Sequence, residues 1–226
     1  MIDFENCWYK DVCIAICSQT CPRFLEMSYL MGSSGIPENR QIPAVLEPGN
    51  DSDYELFMQL NDIKSDMQDF VKHGNSMYIC SENTGNGKTS WALKLMLKYF
   101  DDVWCGNGFR TRGLFIHIPT FLTKLKNFSE PFPESYKHDI MECDLVVWDD
   151  IASTNMSSFD LTNLSTYIDT RVMRMKSNIY TGNITDFSQL EKQIGKRLAS
   201  RIYTASDYVF EFTGSDRRSR NGKIKC

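Results

Sequence analysis

No run of the roughly 20 apolar residues needed to cross a bilayer occurs in this chain. Its opening, Met1-Ile2-Asp3-Phe4-Glu5, is acidic and lacks the basic-then-apolar order of a secretory signal. Both absences lead to the expectation of a cytoplasmic protein with no membrane partner. Positive charge is not in excess either: 25 Lys and Arg against 29 Asp and Glu leave a net charge of −4. That balance excludes a protein that coats nucleic acid by electrostatics alone, so any DNA contact has to be local or shared among subunits. Histidine is scarce, and His73, His117 and His138 have neither metal-ligand nor triad spacing. Internal repeats and low-complexity tracts are missing as well.

What is present divides by composition. Residues 1–45 form a Cys-rich appendage with its linker, and residues 46–226 form a domain of alternating strands and helices. In the second part, Ser52 and Glu55 have capping-box spacing, and Tyr54, Phe57, Leu60, Ile63, Met67 and Phe70 recur at helical intervals up to a stop at Gly74. Short buried-type strands are expected at Ser76–Cys80, Gly113–Ile118, Leu145–Trp148, Asn178–Thr181 and Tyr208–Phe212. Helices lie between them. One, opened by Pro119-Thr120, is expected to carry Phe121, Leu122, Leu125 and Phe128. Five strands separated by helices imply an α/β three-layer sandwich around a parallel sheet.

The turn after the first strand reads Asn83-Thr84-Gly85-Asn86-Gly87-Lys88-Thr89-Ser90. It lies where a phosphate-binding loop must lie, between a strand and a helix. Gly85 and Gly87 let the backbone curl so that its N–H groups point inward, and the helix adds its positive end. Lys88 supplies a charge to the β- and γ-phosphates of ATP or ADP, and the Thr89 hydroxyl can ligate Mg²⁺. Position 82 departs from the pattern, since Glu stands where Gly is usual; its carboxylate has to point outward or weaken the grip.

A second half of the site follows. Leu145-Val146-Val147-Trp148-Asp149-Asp150 is an apolar strand ending in two carboxylates. Asp149 can hold the Mg²⁺ hydration shell, and Asp150 can orient or deprotonate the attacking water. Asn183, at the next strand tip, can hold that water without adding charge. Lys192 to Arg201 reads as a basic helix from which Arg201 can reach a neighbouring subunit's γ-phosphate; a solvated helix face would carry the same residues. Arg110 and Arg112 stand in a Gly-rich loop that reads either as a DNA-phosphate contact or as a solvated turn.

Four of the eight cysteines, Cys7, Cys13, Cys17 and Cys21, fall within fifteen residues. The last three are spaced i, i+4, i+8, a row that a straight helix cannot converge on one metal, and Pro22 favours a bend at Cys21. The cluster reads as a Cys₄ zinc site, with an iron–sulfur cluster or a helix burying free thiols as alternatives.

In this order, Asn83-Thr84-Gly85-Asn86-Gly87-Lys88-Thr89, Val147-Trp148-Asp149-Asp150, Thr181-Gly182-Asn183, Arg197-Leu198-Ala199-Ser200-Arg201 and Phe212-Thr213-Gly214-Ser215-Asp216-Arg217-Arg218 resemble helicase loaders of the DnaC/DnaI type, within the AAA+ ATPases. The resemblance spans residues 50 to 220 and implies a P-loop AAA+ fold with little or no lid domain. It implies roles for Asn183 as γ-phosphate sensor, Arg201 as arginine finger and Arg218 as second sensor. It also implies a hexameric replicative helicase and single-stranded DNA as partners, with self-association through the ATP interface. The family more often has Glu at position 150, so slow hydrolysis is expected. A transposition helper ATPase of the same fold and a nucleotide-gated adaptor with little hydrolysis are the competing readings.

Overall fold

Strands that alternate inward to both faces need helices on both sides, and the chain supplies them in two groups. The computed structural model describes residues 7–9, 13, 20–41, 45–48 and 50–215. Five strands, β1 (Ser76–Cys80), β2 (Gly113–His117), β3 (Leu145–Ile151), β4 (Ser177–Gly182) and β5 (Tyr208–Glu211), form one parallel sheet in the order β5-β1-β4-β3-β2. Their places match the expected strands within a few residues. Helices α1 (Pro22–Ser33), α2 (Asp51–Ser65), α3 (Met67–Lys72) and α4 (Lys88–Val103) cover one face. The other face carries α5 (Ile118–Leu125), α6 (Glu134–Glu142), α7 (Ser158–Met173), α8 (Phe187–Ile194) and α9 (Lys196–Ala199). β5 ends at Glu211, and no helical lid follows it among the described residues. None of the described helices is long and apolar enough to cross a membrane.

Strand pleating sorts the core. Met77 and Ile79 of β1 join Val147 and Ile179 on the α4 side, whereas Tyr78, Cys80, Val146, Trp148 and Tyr180 face α5–α9. α4 is long because Trp91, Leu95, Met96, Tyr99, Phe100 and Val103 recur at helical spacing, and all are buried against the sheet. α1, within the segment assigned by sequence to the appendage, buries Met27, Leu30 and Met31 in this same cluster.

Three sequence expectations change here. The single helix expected between the Ser52 cap and the Gly74 stop is two, because Asp66 leaves helical geometry and caps α3 by accepting from Asp69 N at 3.3 Å. The N-cap of α2 is Asn50, which accepts from Asp53 N at 2.8 Å, rather than Ser52. The helix expected to reach Phe128 ends at Leu125; Phe128 is 79% exposed in the connection to α6.

The entry to α7 carries a capping box that the sequence reading passed over. Ser157 Oγ accepts from Asp160 N at 3.3 Å, while the Asp160 carboxylate accepts from Ser157 N at 2.9 Å. Lys126, beyond the end of α5, meets the same carboxylate at 2.7 Å. Burial works to raise the Asp160 pKa, but the Lys126 ammonium and the Ser157 hydrogen bonds outweigh it and hold the carboxyl below its ordinary value. A depressed folded-state pKa gives stability that is present above the unfolded value, near 3.9, and is lost as pH falls through the lower folded one. Ser157→Ala is expected to lower unfolding free energy by about 1 kcal/mol in urea titrations at neutral pH. Asp160→Asn should flatten the acid limb of the stability profile.

Candidate functional site

β1 ends at Cys80, and residues 81–87 turn the chain into α4. Gly87 takes φ 105°, in the left-handed region, and Gly85 takes φ 72°. A Cβ at position 87 would come no closer than 3.7 Å to Leu46, so the backbone angle, not crowding, demands glycine there. The first-turn N–H groups of α4 have no intrahelical partner and face this loop with the positive end of the helix. Lys88 is only 8% exposed, and its Nζ donates to Asn83 O at 2.8 Å, Asn86 Oδ1 at 3.3 Å and Ser81 O at 3.4 Å. Buried Asn86 braces the curl by donating to Ser81 Oγ at 2.5 Å. Glu82 resolves the doubt about its sign by being solvent-exposed. Beneath the loop, burial pushes the Cys80 thiol up to about 12, with Glu211 adding and Lys88 opposing, so it is an inert filler.

On a regular strand Asp149 and Asp150 would point to opposite faces. The ladder prevents this. Trp148 pairs with Tyr180 and Ile151 with Gly182, so two residues of β3 oppose the single Thr181 of β4. Asp150 absorbs the bulge at φ 63°. Thr181 ties the acids together: its hydroxyl donates to Asp149 Oδ1 at 2.8 Å and accepts from Asp150 N at 3.0 Å. Thr89 Oγ1 donates to the same Asp149 oxygen at 2.7 Å. Asn183 Nδ2 donates to Asp150 Oδ1 at 3.3 Å, and His117 Nε2 stands 3.9 Å from Asp150 Oδ2. Asn183 reaches that place because β4 ends in Gly182, where a Cβ would lie 2.5 Å from the Tyr78 hydroxyl. That hydroxyl is pinned by donation to Ile184 O at 2.7 Å.

These groups line a cavity of about 860 Å³ outside the carboxyl ends of the strands, where open α/β sheets bind ligands. Thr84, Gly85, Asn86, Gly87, Lys88 and Thr89 form one wall, and Asp149, Asp150, Thr181 and Asn183 form the floor. The remaining walls come from His117, Lys124, Phe132 and Tyr136 and from the segment beside β2 that carries Gly35, Pro37, Asn39 and Arg40. A buried carboxylate beside a hydroxyl suits Mg²⁺, which takes hard oxygen donors and completes its octahedron with water and phosphate oxygens.

Other sequence-selected residues lie elsewhere. Ser90 is half-buried in the first turn of α4, outside the cavity lining. The Asn83 side chain turns toward the C-terminal segment, donating to Thr213 O at 3.2 Å and Gly214 O at 3.3 Å. The expected basic helix over 192–201 is broken by Gly195 at φ 80°, and Arg201 sits on a π-helical turn, Ser200–Thr204. Arg201 Nε donates to Asp169 Oδ1 at 2.8 Å, and Arg197 meets the other oxygen at 2.7 Å. Arg112 and Arg110 both pair with Asp144, at 2.6 and 3.5 Å, with the Arg110 side chain 64% exposed. Arg218 and Cys17 fall outside the described residues.

Zinc or iron–sulfur ligation at Cys7, Cys13, Cys17 and Cys21 finds no support. Among the described residues no group of three or more His, Cys, Asp or Glu could hold a metal. Cys7 packs against the core, Cys13 is exposed, and Cys21 precedes α1 rather than extending it, because the helix starts at Pro22. Sequence reasoning missed Thr181 as a site residue and set His117 aside. A threonine in a wholly buried strand and a histidine in register with Asp149 are the signals that mark them.

No protein-family model matches the sequence, and no curated protein matches it. Solved structures do. The DnaC helicase loader superposes with a TM-score of 0.62 at 18% identity, covering 74% of this chain and 93% of that one. DnaI superposes with a TM-score of 0.63 at 16% identity over 80% and 96%. AMPPCP-bound DnaA from Aquifex aeolicus gives 0.57 at 13% over 75% and 48%. At these identities the likeness concerns the fold, a five-stranded parallel α/β sheet arranged as in the DnaC and DnaI structures.

Proposed function

We propose that this chain, with its loader-type fold, is a Mg²⁺-dependent ATPase that places a hexameric replicative helicase on single-stranded DNA. The observation that carries the reading is one cavity into which Lys88, Asp149, Asp150 and Asn183 converge. Lys88 and the loop amides would bind the phosphates, and Thr89 and Asp149 would hold Mg²⁺, whose charge would offset that of the phosphates. Asp150 orients the attacking water and accepts its proton; Asn183 steadies that carboxylate and the water. The Asp150 carboxylate is one methylene shorter than the usual Glu, so turnover is slow and nucleotide acts chiefly as a switch that orders the subunit interface. Arg201, leaving Asp169, serves a neighbouring subunit's nucleotide, and Arg218 serves its own. Residues 1–45 grip the helicase, and the net charge of −4 leaves single-stranded DNA to be held by several subunits together.

The test is co-purification of the full chain with a hexameric replicative helicase, followed by ATP turnover with and without helicase and single-stranded DNA. Nucleotide-dependent complex formation with stimulated turnover is expected. Failure to bind the helicase in any nucleotide state would sink the loader reading. Binding without Asp150-dependent turnover would favour the adaptor, a reading that the short carboxylate at position 150 keeps in play.

A further inference from the structure

Besides Arg40 and Lys88, the Lys or Arg in the cavity lining is Lys124, and it has a partner, as do the nearby Arg197 and Arg201. Lys124 sits 4.9 Å over the Phe132 ring, and Arg197 and Arg201 share Asp169. Arg40 lines the cavity and is exposed, yet among the described residues it has no acidic partner within ion-pair distance.

Its position is built rather than incidental. Ser34 O accepts from Phe115 N of β2 at 2.7 Å, so the chain after α1 runs along the free edge of the sheet. Gly35, at φ 73°, makes the turn, and a Cβ there would meet Phe115 O at 3.1 Å. Ile36 is buried, and its N–H donates to Ser34 Oγ at 3.1 Å. A 3₁₀ turn, Glu38–Arg40, closes with Arg40 N donating to Pro37 O at 2.8 Å. The sheet order then decides which part of a ligand this residue faces. Lys88 approaches the cavity from β1, the acids stand at β3, and Arg40 comes from beyond β2 on the side of His117 and Asp150.

We infer that Arg40 supplies, from within the same chain, a second positive contact to the terminal phosphate of a nucleoside triphosphate held at Lys88. The inference rests on the reading of the cavity as a nucleotide site. A guanidinium presents a rigid fork that matches two phosphate oxygens, which suits it to a terminal phosphate that offers three. The contact distinguishes triphosphate from diphosphate, because ADP leaves the far side of the cavity unfilled.

The experiment titrates fluorescent ATP and ADP analogues, with Mg²⁺, into the full chain and into Arg40→Ala and Arg40→Lys. Arg40→Ala is expected to weaken ATP binding about tenfold or more, as loss of one charge-assisted contact does, and to leave ADP binding within about twofold. Arg40→Lys should fall between. Because Arg40 is exposed, the melting temperature should hold; should Arg40→Ala fail to fold, Arg40→Gln answers the same question. Unchanged ATP binding, or equal losses for ATP and ADP, overturns the assignment while leaving the nucleotide site intact. Wild-type protein that binds neither nucleotide overturns the nucleotide site, and Arg40 with it.

Discussion

Lys88→Ala abolishes useful nucleotide binding: titration calorimetry with MgATP and with MgADP is expected to show at least about a hundredfold loss for each. The magnitude follows from two costs on the same atom. Nζ is the one buried cation placed by the loop itself, so its removal deletes a charge-assisted contact of roughly 1.5–3 kcal/mol to phosphate. The deletion also strips a donor from Ser81 O, Asn83 O and Asn86 Oδ1, the atoms that keep the curl closed. Both nucleotides suffer, which separates this residue from Arg40. Retained binding of either nucleotide would remove the main support for the ATPase reading.

Asp150→Asn separates binding from chemistry. Asparagine has the same shape and tolerates the left-handed backbone at φ 63°, so the bulge and its bond to Thr181 survive. It cannot accept a proton from water. Turnover measured in the presence of helicase and single-stranded DNA should fall about 10²–10⁴-fold, the usual worth of a positioned general base. ATP affinity should stay near wild type, because Lys88, Thr89 and Asp149 are untouched. A variant that binds ATP as before and hydrolyses it at the wild-type rate would exclude Asp150 from the reaction.

The parts of this molecule that were legible in the sequence are those written contiguously. Lys88 and Thr89 follow their glycines directly, and Val146–Trp148 lead straight into the acid pair, so strand, turn and helix could be placed around them. Strands β1 to β4 were legible because each is a short run with an apolar centre, buried on both faces, whereas β5 buries only Phe210 and was legible from its apolar residues alone. What stayed hidden depends on register and packing. His117 becomes a neighbour of the acids only because β2 pairs with β3 so that residue 117 meets 149. Thr181 acts only because a bulge sets two acids against one threonine. The helix break at Asp66 was masked by apolar spacing that runs on through it, and Tyr54, counted on the apolar side, is 56% exposed. Asp169 lies far along the chain from Arg201, and no spacing rule joins them.

Asn83 links the phosphate loop to the segment after β5. Its backbone carbonyl accepts from Lys88 Nζ, and its side-chain amide donates to the carbonyls of Thr213 and Gly214. The buried Asp53 clasps the same two residues through their N–H groups, at 2.9 and 3.0 Å. The segment after β5 is thus stitched to the rim of the phosphate cradle and to the first turn of α2. A displacement of Thr213 and Gly214 would therefore bear on the residue whose carbonyl holds the Lys88 ammonium.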